Sequence, residues 1–126
     1  MKRIINTSIA VLVGALLAAP LIAAADDKGE VRNGGITTML KNRDYELVMK
    51  PTVATVFIYQ DEKPADTKGA TGTITFTNGE KKTVLPLQPT GTNAMEAKGA
   101  FSPHGSVSAT ITLLGRKPQD VTWTLK

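Results

Sequence analysis

A chain of 126 residues with 15 basic and 11 acidic side chains, one His and no Cys has material for one modest hydrophobic core. The lack of Cys excludes disulfides and thiolate metal sites. A formal net charge of +4, spread along the chain, gives no reason to expect nucleic acid or anionic lipid as a partner.

The first 25 residues have the layout of a cleaved, helical secretory signal peptide. Lys2 and Arg3 form a basic head, "IAVLVGALLAAPLIAAA" follows without charge from Ile9 to Ala25, and Ala23-Ala24-Ala25 supplies the small residues of a cleavage site. A membrane anchor would need about 20 apolar residues. This run is shorter, contains Pro20 and ends in alanines before Asp26-Asp27. The expected organisation is residues 1–25 as signal peptide and 26–126 as a single domain, delivered to the periplasm and not inserted in the membrane after cleavage. Losing Lys2 and Arg3 takes the basic count from 15 to 13 against 11 acidic residues, a net of +2.

Beyond residue 25 the apolar residues alternate with period two, the pattern of strands with one face buried and one wet. Strands are predicted over 36–40, 44–50, 52–60, 70–77, 81–88, 94–101, 106–114 and 120–126. In "DYELVMK" Tyr45, Leu47 and Met49 share a face, and in "ATGTITFTN" Ile74 and Phe76 oppose four threonines. "SVSATITL" groups Val107, Ala109, Ile111 and Leu113, and "DVTWTLK" groups Val121, Trp123 and Leu125. Asn33-Gly34-Gly35 suggests a weak first hairpin. Asn78-Gly79 suggests a tight turn, and Pro51 a bend where the chain changes sheets. Seven or eight short strands at this spacing predict an all-β fold, a small antiparallel β-sandwich of Ig-like or Greek-key type. A small closed barrel is the competing architecture. The core is expected to include Tyr45, Leu47, Phe57, Ile74, Phe76, Phe101, Ile111, Leu113 and Trp123.

Motifs for chemistry are sparse. The sequence holds no G-x-S-x-G elbow, no H-E-x-x-H and no P-loop, and His104 in "FSPHGS" lies in a turn between Pro103 and Gly105. No enzyme is expected. Metal binding has two candidate ligands, Met39 and His104, soft donors that suit copper(I) or another transition metal. Met49 and Met95 fall on apolar faces and read as core filler.

Several stretches together resemble a small β-domain of bacterial heavy-metal efflux. It occurs in some periplasmic adaptor subunits of resistance-nodulation-division exporters and as a short exported protein. The likeness rests on "YELV" (Tyr45 to Val48), "KPADTKGATG" (Lys63 to Gly72), "GEKKTV" (Gly79 to Val84), Gly99-Ala100-Phe101 and the "GRKP" turn (Gly115 to Pro118). It implies a periplasmic accessory role in metal homeostasis, exercised by contact with an efflux adaptor or related protein or by handling metal. Relatives often carry His-rich stretches near their start or in the turn matching "YQDEKP". This chain has Gln60, Asp61 and Glu62 there, which favours a non-enzymatic binding module acting by protein–protein contact. The alternative is a metal-binding chaperone or scavenger using Met39 and His104. An exposed edge strand or a Thr-rich sheet face is the expected contact surface.

Overall fold

The computed structural model describes residues 29–101 and 104–125, so the expected signal peptide lies outside the described residues. Val31–Lys126 forms one compact unit. The described part is all-β, with nine antiparallel strands: β1 (Ile36–Leu40), β2 (Arg43–Met49), β3 (Val53–Gln60), β4 (Lys63–Pro64), β5 (Thr71–Asn78), β6 (Lys81–Thr90), β7 (Ala94–Lys98), β8 (Gly105–Thr112) and β9 (Gln119–Leu125). All eight predicted strands are present. The ninth, β4, is a two-residue strand in a segment expected to be loop.

The strand order is β1-β2-β3-β7-β6-β5-β8-β9, with β4 beside the end of β3. Strands β5 to β7 form a meander and β8 returns to lie against β5, the spatial order of a Greek key. Sandwich and barrel are both partly right here, because the two faces are continuous through β6. Its first part, to Leu87, pairs with β5, and Gln88 to Thr90 pair with β7. Pro86 and Pro89 flank the point of transfer, where a residue without an N–H does least harm to a ladder. Pro51, by contrast, does not mark a change of sheet. It sits in the turn between β2 and β3, which pair with each other. On the far side β1 and β9 approach, joined by a Thr38 hydroxyl donating to the Thr122 carbonyl at 3.0 Å. The sheet is thus nearly closed into a barrel.

Alternation in β2, β3 and β5 to β9 sends one face into a single core built around Trp123, Tyr45, Leu47, Ile58, Ile74, Met95 and Ile111, all 1% exposed or less. Met95 is core filler as expected. Phe57 is not core: in β3 the buried face is Ala54, Val56 and Ile58, and Phe57 points to the other side, half-buried. The predicted last strand residues near 99–101 instead leave the ladder. The amides of Gly99 and Phe101 donate to the carbonyls of Thr52 and Pro51, tying that segment to the β2–β3 turn.

Turn chemistry departs from expectation in an informative way. Asn78 is the last residue of β5 and pairs with Lys81, leaving Gly79-Glu80 as a two-residue loop. Only Gly79 has positive φ, +67°, as a type II′ turn requires. The other two tight hairpins use no glycine. Lys41 and Asn42 have φ of 53° and 63°, and Asp61 and Glu62 have φ of 52° and 69°. Two successive left-handed residues define type I′ turns, whose preferred sequences are Asn-Gly and Asp-Gly. Glu62→Gly converts the second turn to Asp-Gly. The relief of about 1–2 kcal/mol of left-handed strain is partly offset by the greater freedom of an unfolded Gly. The expected outcome is a gain of about 0.5 kcal/mol, read as a rise of roughly 3 °C in a thermal melt.

Candidate functional site

The structure does not bring the two sequence-predicted metal ligands together. Met39 lies in β1, 41% exposed, in register with Asp44 and two residues before the Lys41-Asn42 turn. His104 is exposed at the opposite end, just before β8, beside the Phe76–Phe101 ring pair with centroids 4.6 Å apart. With β9 between their strands, strand geometry places them on the order of 20 Å apart. Among the described residues no three His, Cys, Asp or Glu side chains converge as a metal-ligand group.

The most elaborate polar cluster is built around a buried carboxylate. Glu46 stands on the face of β2 opposite Tyr45 and Leu47 and is 0% exposed. The backbone before β1 wraps it. Arg32 N–H donates to Oε1 at 3.0 Å, Asn33 N–H and Gly35 N–H donate to Oε2 at 2.7 and 2.8 Å, and the Asn33 side-chain amide donates to Oε1 at 3.1 Å. Successive backbone amides around a left-handed glycine make a concave anion nest, and Gly34 supplies the positive φ, +78°. Asn33-Gly34-Gly35 is therefore not a hairpin but a cage for Glu46. Gly35 admits no side chain, since a Cβ there would collide with the Leu47 carbonyl oxygen.

Burial alone raises the pKa of Glu46. The amides of Gly35, Arg32 and Asn33 outweigh it and leave the carboxyl below its ordinary value. Arg32 completes the clasp, its Nη1 3.0 Å from Asp44 Oδ2 and its guanidinium 4.1 Å from the Tyr59 ring centroid. Every oxygen of this nest is satisfied from within the chain, so its work is to pin the segment before β1 onto the sheet.

A different arrangement occupies the end that carries the Lys41-Asn42 turn and the β8–β9 loop. Two adjoining open grooves, of about 350 and 280 Å³, share Arg43, Gln60 and Arg116. Lys68 lines the first, Lys41 and Lys117 the second. Five cations thus face one carboxylate, Asp66, whose Oδ1 already accepts the Lys68 amide at 2.9 Å. None of the five is in a salt bridge with another described residue. At the centre, half-buried Arg43 is held by neutral partners. Its Nε donates to Gln60 Oε1 at 2.7 Å and its Nη1 to the Tyr45 hydroxyl at 3.2 Å. Gln60 is fixed in turn by donating to the Asn42 carbonyl at 3.3 Å. On the wall of the first groove Leu114 is 73% exposed, the most exposed large apolar side chain described.

Sequence reading missed this groove. Its cations come from positions 41, 43, 68, 116 and 117, and no two except the last pair stand adjacent in the chain. They converge because the β1–β2 turn, the loop after β4 and the β8–β9 loop fall at the same end of an antiparallel barrel. Comparison with protein-family models, curated proteins and solved structures finds no match for this chain.

Proposed function

We propose that the chain is an exported, non-enzymatic accessory module that works by docking to another protein, and that its setting is heavy-metal efflux or metal homeostasis in the periplasm. The observation that carries the docking reading is the concentration of five cations with no salt-bridge partner among the described residues, fixed Arg43 at their centre, beside an exposed leucine. A folded surface that leaves such groups without internal partners is suited to meet a complementary one. The setting is supported by the resemblance of Tyr45–Val48, Lys63–Gly72 and Gly79–Val84 to the efflux-adaptor module. A photo-crosslinking residue at position 117, in the groove, is expected to give adducts with the adaptor subunit of a co-expressed metal exporter. The same residue at position 84, on the outer face of β6 where Val84 is 59% exposed, is expected to give none. Equal yields from both positions would overturn the groove as the docking surface, and none from either would overturn the efflux adaptor as the partner.

The metal-binding alternative is separated by a thermal melt with Cu(I), Cu(II), Zn(II), Ni(II) and Co(II). Binding to the folded state at 100 times Kd adds about 2.7 kcal/mol, a shift of 10 °C or more in a domain of about this size. A flat response is expected. A selective shift that disappears in the Met39→Ala, His104→Ala double variant would favour the chaperone instead.

A further inference from the structure

We infer that the basic groove is a carboxylate-binding track for a short acidic segment of the partner protein, with Arg43 as its fixed recognition fork and Leu114 as the contact for a neighbouring apolar side chain. This rests on the docking reading above and gives that surface a ligand chemistry.

Of the five N–H donors on a guanidinium, two are taken in Arg43 by Gln60 and by the Tyr45 hydroxyl. Three have no protein acceptor among the described residues, although the side chain is half-buried. An arginine kept for structure is normally neutralised by a carboxylate, as Arg32 is by Asp44. Arg43 is instead oriented by two neutral groups, which fix its plane and leave its charge and its outer edge for an external acceptor. A planar fork of this kind matches an oxyanion with two parallel hydrogen bonds, and little rotamer freedom remains to be lost on binding. Arg116 and Lys117 on one loop, with Lys41 and Lys68 on either side, extend positive potential along both grooves.

The shape favours a polypeptide. The two grooves meet at Arg43, so a strand crossing them places one carboxylate over the fork and others within reach of the flanking lysines. Exposed Leu114 gives an apolar neighbour a surface to cover. A single-stranded nucleic acid would want aromatic platforms along its track, and no aromatic ring lines either groove.

The test is an amide-resolved NMR titration of the folded domain with three probes. They are an N-acetylated hexapeptide alternating leucine with aspartate or glutamate, the same peptide carrying asparagine and glutamine, and inorganic phosphate. The acidic peptide is expected to shift the amides around residues 41–43, 60 and 114–117 saturably. The effect should weaken as salt rises from about 20 to about 300 mM, and neither other probe should match it at equal concentration. Arg43→Lys, which keeps the charge and loses the fork, is expected to weaken the peptide about tenfold. The Arg116→Gln, Lys117→Gln double variant, changed only at exposed loop positions, is expected to weaken it several-fold with the fold intact. The inference is overturned if the amide peptide binds equally well, if phosphate reproduces the response, or if both variants bind as the parent does. Should the peptide fail while crosslinks from position 117 to the adaptor persist, the carboxylate assignment falls and the docking reading stands. Should the peptide bind while those crosslinks are absent, the assignment stands and the adaptor is excluded as the partner.

Discussion

Trp123→Ala is expected to remove about 4 kcal/mol of stability, within the range for truncating a buried large aromatic, from a domain whose total should be about 5–10 kcal/mol. Two separate contributions are lost. The indole is 1% exposed at the centre of the core, and a side chain of this size takes a large apolar area out of water. Its Nε1–H also donates to the Tyr45 carbonyl at 3.0 Å, linking β9 to β2 across the seam where β1 and β9 meet. That bond and the Thr38–Thr122 contact brace a junction with no strand ladder of its own. Trp123→Phe separates the two, since it keeps most of the bulk and loses the bond. It is expected to cost about 1–2 kcal/mol, in keeping with one buried hydrogen bond and a small void. Urea denaturation followed by far-ultraviolet circular dichroism measures both, because removing the sole Trp also removes the fluorescence signal. A loss under 1 kcal/mol for the alanine variant would show that the seam and core do not depend on this residue.

The parts of the fold that were legible in the sequence are those set by local alternation. Val107, Ala109 and Ile111 against Ser106, Ser108 and Thr110 specify a half-buried strand whatever its neighbours do, and the structure buries that set. Phe57 shows the limit. In "VATVFIYQ" both faces of β3 carry apolar residues, so alternation cannot say which is inside, and size suggests Phe57 where the structure uses Ala54, Val56 and Ile58. Turns were legible as breaks between alternating runs, but their backbone type was legible only where glycine declares it. Lys41-Asn42 and Asp61-Glu62 reach positive φ without one, held there by the strand pairing on each side. Asn33-Gly34-Gly35 was visible as a turn signal, but its object was not, because the carboxylate it encloses lies 11 residues beyond Gly35. The groove was the least legible feature. Its charges looked like ordinary solvated loop residues until the strand order placed three separate connections at one end.

Glu46 and Arg43 show two opposite uses of charge on opposite faces of one strand. Around Arg43 the protein supplies orientation and withholds the counter-charge. Around Glu46 it supplies every donor the carboxylate can use, and the group becomes part of the scaffold. The first arrangement is the one the docking proposal draws on, and the second is a permanent part of the scaffold.

Glu46→Gln is accordingly expected to cost about 3 kcal/mol near pH 7, a fall of roughly 15 °C in Tm. The shape of the side chain survives, but one acceptor oxygen becomes an NH₂ facing backbone donors, and the charge that strengthens the remaining bonds is gone. The loss should depend on pH in a defined direction. The folded-state pKa of Glu46 is lowered, so its charge contributes stability that is fully present above the unfolded value, about 4.3, and is lost as pH falls through the lower folded value. Parent and variant stabilities should therefore differ most near neutrality and begin to converge only as the pH falls below the unfolded value, because protonation of the parent reproduces what the amide does permanently. Urea denaturation at intervals between pH 3 and pH 7 follows both curves. Curves that stay parallel would mean that the nest holds Glu46 by shape alone. Convergence would assign the docking of residues 32–35 to the ionised carboxylate, and that segment's amides should then lose hydrogen-exchange protection in the variant before the core does.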